Sequence, residues 1–161
     1  MIAVLMGVSG VGKTTIGKAL ADELGWAFLD ADDFHPPRNV ARMAAGQPLD
    51  DADRAPWLER LNQELARAQC EKQDLVLACS ALKERYRVRL AHGVENLRWI
   101  YLKGDPALLQ ARLAQRQHAY MPPSLLGSQL AALEPPEDAI TVDVAADVGA
   151  CVAAIASQLR S

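Results

Sequence analysis

Between residues 7 and 14 the chain reads Gly7-Val8-Ser9-Gly10-Val11-Gly12-Lys13-Thr14, a full match to G-x-x-x-x-G-K-[ST]. The run before it, Ile2 to Val8, is continuously apolar, the pattern of a strand buried on both faces of a parallel sheet. The run after it, Lys13 to Leu24, carries Ile16, Ala19, Leu20 and Leu24 at helical spacing and meets Gly25 where a helix C-cap belongs. Strand, glycine loop and helix in that order give the motif its physical purpose. Glycines let the backbone curl until successive N–H groups face one anion, and the helix N-terminus adds roughly half a positive charge. Gly7, Ser9, Gly10, Val11, Gly12, Lys13, Thr14 and Thr15 are therefore expected to hold the polyphosphate of a nucleotide. Lys13 would bridge the β- and γ-phosphates of ATP as a catalytic cation, and the Thr14 hydroxyl would ligate Mg2+.

The alternation continues to the end of the chain. Strands are expected over Ala27 to Ala31, Leu75 to Ser80, Leu97 to Lys103 and Ile140 to Val144. Helices are expected over Pro36 to Ala45, about Asp53 to Gln69, Lys83 to His92, Pro106 to Gln117 and Val148 to Leu159. Asp105 and Pro106 suit the N-cap and first position of one of them. Such a rhythm implies an α/β class, a parallel sheet covered by helices on both faces. A length of 161 residues suits a single domain over 1–161. One stretch breaks the rhythm: His118-Ala119-Tyr120-Met121-Pro122-Pro123, followed by a helical pattern from Ser124 to Leu133. An insertion at about 117–135, between the fourth and fifth strands, is where a lid over the phosphates would sit.

Composition narrows the partners. Net charge is −3 with the signs mixed along the chain, which offers nothing to a nucleic acid or an anionic membrane surface. No apolar stretch reaches the roughly 18 residues needed to span a bilayer. The N-terminus lacks a basic leader and reads as a core strand. Cys70, Cys79 and Cys151 lack paired metal spacings and read as reduced thiols of a cytoplasmic protein.

The acceptor side of a phosphotransferase should lie after the second strand, at Asp30-Ala31-Asp32-Asp33-Phe34-His35. Asp30 and Asp32 share a side if the strand runs through both, at the carboxyl end of the sheet where open α/β folds bind ligands. One acid would hold Mg2+ and the other would accept the proton of an acceptor hydroxyl. His35 can hydrogen-bond a polyol or simply pack. Among Arg38, Arg42 and Arg54, at least one should meet a substrate carboxylate, the natural partner of a guanidinium. Arg112 and Arg116 lie four apart on one helix face; Arg112 is expected near the nucleotide and Arg116 at the γ-phosphate as a catalytic lid cation.

Several segments carry a more specific likeness: Val4 to Gly10, Phe28 to Asp32, His35-Pro36 with Arg38-Asn39, and Met43 to Leu49. Asp51 to Arg54 with Pro56-Trp57, Cys79 to Lys83 with Tyr86-Arg87, and Tyr101 to Gly104 complete it. In these the chain resembles the gluconate kinases of the P-loop kinase superfamily, relatives of shikimate and adenylate kinases. The resemblance implies a three-layer P-loop kinase fold, a five-stranded parallel sheet of order 2-3-1-4-5, a small lid and assembly as a homodimer. It also implies transfer of phosphate from ATP to D-gluconate with Mg2+. Asp30 would then hold the metal and Asp32 would orient and deprotonate the gluconate hydroxyl. Asp32, His35, Arg38, Arg54, Ser80, Lys83 and Arg87 would form the sugar pocket. Ala31 stands where many members of the family have glycine. The rival readings are a shikimate or nucleoside monophosphate kinase and, more distantly, a non-catalytic nucleotide switch; no Asn-Lys-x-Asp or Leu-Ser-Gly-Gly motif supports a switch or transporter.

Overall fold

β1 (Ile2–Met6) is buried along its whole length, as five apolar residues without a polar face require. It lies at the centre of a parallel sheet, between β3 (Leu75–Ala78) and β4 (Leu97–Lys103). β2 (Ala27–Asp30) flanks β3, and β5 (Ile140–Asp143) flanks β4, giving the expected order 2-3-1-4-5. The computed structural model describes residues 1–115 and 126–161. Arg116 and the lid stretch from His118 to Pro123 lie outside the described residues.

Strand periodicity divides the core in two. Ala3 and Leu5 of β1, Val76 of β3, and Ile100 and Leu102 of β4 face one helical layer. That layer comprises α1 (Lys13–Leu24), α5 (Pro106–Ala114), α6 (Leu126–Ala132) and α7 (Val148–Arg160). Ile2, Val4 and Met6, with Leu75, Leu77 and Tyr101, face the opposite layer of α3 (Asp51–Cys70) and α4 (Glu84–Leu90). Because a parallel crossover returns each strand in the same direction, all five strands end at one edge, where the loops that carry chemistry collect.

Most elements end within a few residues of expectation, and three of the differing boundaries bear on the site. α3 starts at Asp51 instead of Asp53, because Asp50 is the N-cap and Asp53 the reciprocal partner of a capping box. β2 stops at Asp30, and Ala31–Phe34 forms a 3-10 turn before α2 (Pro37–Ala44). Asp30 and Asp32 consequently do not share a strand face; the Asp30 carboxylate instead accepts the Asp32 N–H at 3.0 Å. β3 ends at Ala78, leaving Ser80 in the following loop.

The chain leaves β1 through Gly7, whose φ of 152° brings it against the β4 backbone. A Cβ there would lie 2.8 Å from the Leu102 carbonyl oxygen and 3.0 Å from Val11 Cγ2. Neither neighbour can retreat cheaply, since one is sheet backbone and the other is buried in the core. Gly7→Ala should displace the whole loop, destabilising the fold by about 1–3 kcal/mol. It should also weaken ATP binding at least about tenfold; calorimetric titration beside thermal unfolding checks both.

Candidate active site

The loop after β1 reaches α1 through Gly10 (φ 91°) and Gly12 (φ 88°), left-handed turns open to glycine at little cost. Gly12 is the N-cap of α1 and has no side chain with which to cap it. The helix dipole favours an anion at that end. Lys13 Nζ folds back over the loop and donates to the carbonyls of Gly7 and Val8 at 2.9 and 3.2 Å. Thr14 Oγ1 donates to Asp30 Oδ2 at 2.7 Å, tying the loop to the end of β2.

A cavity of about 480 Å³ runs from this loop to the mouths of α3 and α4. Ser9, Gly10, Gly12, Lys13 and Thr14 of the phosphate loop line it together with Asp32, His35, Arg54, Ser80 and Lys83. Asp32 lines the cavity and is open to it, with protein packed around it. Desolvation by that surrounding protein, then the charge of Asp30, push its pKa up; Lys13 pulls the other way, and Asp33 adds a smaller push upward. It is therefore a more avid proton acceptor than an ordinary aspartate.

Other expected residues point elsewhere. Arg38 is two-thirds exposed and pairs with Asp53 at 3.8 Å, as Arg42 does, so neither lines the cavity. Arg87 is buried, and its guanidinium donates to the carbonyls of Ala81 at 2.7 Å and Glu134 at 2.8 Å. It braces the loop after β3 against the segment that follows α6. Arg112 donates to the Val144 carbonyl at 2.6 Å, joining α5 to the end of β5. Thr15 is exposed on α1, and Val11 is packed into the core, so the loop's contribution at these positions is backbone alone. Cys79 is wholly buried, and burial pushes its thiol up to about 12, which makes it inert.

The cavity also contains residues that motif reading did not assign to it. Tyr86 donates to Asp51 Oδ1 at 2.5 Å and accepts from Arg54 Nη1 at 3.2 Å, while Arg54 also donates to the Leu49 carbonyl. The Tyr86 hydroxyl and the Arg85 guanidinium hold the Asp51 carboxyl below its usual range. Gln129 of α6 accepts the Ser9 N–H at 2.7 Å, bringing the base of the expected lid onto the phosphate loop. Trp57 lies beneath His35, rings stacked at 4.2 Å and 13°. In the sequence Asp51, Trp57 and Tyr86 stand within the family-like segments without an assigned role, and Gln129 carries no signal of its own.

Among the described residues no three His, Cys, Asp or Glu side chains gather to cage a metal ion. Thr14 and Asp30 nevertheless offer two oxygens beside the phosphate loop. That set fits Mg2+, which takes one or two protein oxygens and completes its shell with phosphate and water.

Burial, helped by the Arg54 charge, lowers the pKa of His35 from 6.5 to about 4. Between these values the unfolded chain takes up a proton that the folded chain refuses, so stability falls with falling pH, by at most about 1.4 kcal/mol per unit. Chemical denaturation of His35→Gln should show a shallower decline than the parent across that window. Equal slopes would remove His35 as the cause.

Comparison with known proteins agrees with this geometry. A family model described as an AAA domain matches residues 2–136. A probable gluconokinase from Xenopus tropicalis is 42% identical, over 99% of this chain and 93% of that protein. The crystal structure of a gluconokinase from Sinorhizobium meliloti 1021 superposes with a TM-score of 0.88 at 38% identity, covering 98% of this chain and 90% of that one. An unliganded sugar kinase from a Janibacter species reaches a TM-score of 0.94 at 38% identity, covering 99% and 94%. With that identity over nearly the full length of its relatives, and the loop and acids where such an enzyme needs them, the chain belongs to the gluconokinase family.

Proposed function

We propose that the protein transfers the γ-phosphoryl group of ATP to D-gluconate, giving ADP and 6-phosphogluconate. The observation that carries this reading is the shared cavity, lined by the glycine loop with Lys13 and also by Asp32, His35, Arg54 and Lys83. The first set suits a polyphosphate and the second a polyhydroxy acid.

In the reaction an acceptor hydroxyl oxygen forms a bond to the γ-phosphorus as the bond from that phosphorus to the β–γ bridging oxygen breaks. The hydroxyl proton passes to Asp32, and ADP leaves. The loop amides and Lys13 hold the phosphates in line, and little covalent work remains for the protein. Arg54 and Lys83 are the cations placed to meet the substrate carboxylate; Arg54 is already aimed by Tyr86 and the Leu49 carbonyl. Thr14 and Asp30 would hold Mg2+, which would supply neutralising charge to the polyphosphate. Arg116, next to the lid insertion, is the proposed cation for the transferring group. The lid's role is to exclude water, which would otherwise compete as acceptor. The family resemblance further supports a single domain over 1–161, a homodimer and a cytoplasmic location.

A coupled ADP assay over gluconate, shikimate and nucleoside monophosphates tests the substrate, and turnover confined to a nucleotide acceptor would reject it. Asp32→Asn should lower kcat by about 10²–10⁴, the usual contribution of a positioned base, with ATP affinity nearly unchanged. Its melting temperature without ligands should not fall. Burial and two neighbouring acids disfavour the ionised carboxylate, so a neutral amide relieves the site.

A further inference from the structure

The partners of His35 decide which of its ring nitrogens carries the proton. Asn39 of α2 is fully buried, and its side-chain Nδ2 has two neighbours: the Asp53 carbonyl oxygen at 2.9 Å and His35 Nδ1 at 3.2 Å. A carbonyl oxygen can only accept, so the group facing it is the NH2 of the amide and not its oxygen. That NH2 has two hydrogens, one for each neighbour, and His35 Nδ1 receives the second. A ring nitrogen that accepts carries no proton, which leaves the proton of the neutral imidazole on Nε2.

The ring plane is held as firmly as its edge. Trp57 stacks on it, and Trp57 Nε1 in turn donates to the Ala31 carbonyl at 2.7 Å, anchoring the indole to the turn that carries Asp32. The Asp53 carbonyl belongs to the first turn of α3, positioned by the capping box with Asp50. Three elements thus meet at one imidazole, and its Nε2–H is the polar group left for the cavity that His35 lines.

We propose that Asn39 is a positioning residue that fixes His35 as the Nε2–H tautomer, a donor of one hydrogen bond to an oxygen of the acceptor substrate. His35 then has no lone pair for the cavity and cannot compete with Asp32 for the substrate proton. An acceptor lacking the matching oxygen leaves that donor unpaired, so the pair Asn39–His35 contributes to substrate selection as well as to orientation. This deepens the gluconate reading above and rests on it for the identity of the substrate, but the tautomer is a property of the free protein.

The test is a long-range proton–nitrogen spectrum of the 15N-labelled protein, with His35 assigned by its loss in His35→Gln. At pH 7 without ligands, His35 should show a bare Nδ1 and a protonated Nε2, and gluconate alone should shift the Nε2 resonance. In Asn39→Asp the new carboxylate accepts from Nδ1–H; the spectrum should invert, and KM for gluconate should rise about tenfold or more while KM for ATP stays within about twofold. A proton on Nδ1, or on both nitrogens, in the parent protein would overturn the proposal. So would an inverted ring in Asn39→Asp with an unchanged KM for gluconate, or a parent Nε2 resonance indifferent to gluconate. If Asn39→Asp does not fold, the parent spectrum and its gluconate titration still decide. A parent with the expected tautomer but no turnover of gluconate would reject the substrate and leave the tautomer standing.

Discussion

The hydrogen bond from Thr14 to Asp30 joins the two halves of the site. Thr14 follows the glycine loop, and Asp30 ends the strand that delivers the acceptor-side acids. Both lie at the same edge because β1, β2 and β3 run parallel with β3 between the other two. A parallel sheet buried on both faces leaves its carboxyl edge as the one place where polar groups can gather without entering the core. The spacing between phosphate loop and Asp32 is thus inherited from strand order, and the short bond trims it.

How much of this is legible in the sequence depends on how local each feature is. The glycine loop, the five strands and the acids after β2 follow from adjacent residues: positive φ needs glycine, buried strands need unbroken apolar runs, and Asp30 to Asp33 are contiguous. The 3-10 turn at Ala31–Phe34 was not legible, because what tips strand into turn there is local and side-chain mediated: the Asp32 N–H donates to the Asp30 carboxylate. The arginines were legible only as a set. Arg38, Arg54 and Arg87 have the same chemistry, and what separates them is distant backbone: carbonyls at Ala81 and Glu134 hold Arg87 inside, while Leu49 and Tyr86 aim Arg54 at the cavity. No spacing rule encodes a partner 47 residues away. The same holds for Gln129, whose link to Ser9 spans 120 residues.

These buried arginine and asparagine contacts have a common energetic logic. A guanidinium or amide sealed from water without partners is destabilising by a few kcal/mol, and several polar side chains here are matched to backbone carbonyls, with Asn39 Oδ1 and Arg42 Nε as buried exceptions. Arg87 satisfies two loop carbonyls, Asn62 satisfies those of Leu90 and His92, and Trp57 satisfies that of Ala31. Irregular segments around the cavity are held in place this way, where helix or strand hydrogen bonding would have left no room for a substrate.

The cavity that results is chemically uneven. The phosphate loop brings donors and a cation, suited to a polyanion, while Asp32 brings an acceptor and His35, Arg54 and Lys83 add donors, with Trp57 stacked beneath the imidazole. A linear molecule with an alcohol at one end and a carboxylate at the other would meet these groups unequally. Its carboxylate set against Asp32 would bring together two like charges where the surrounding protein and Asp30 already disfavour one. Repulsion at Asp32 therefore works with attraction at Arg54 and Lys83, and the orientation both favour brings the alcohol, not the carboxylate, to that acid.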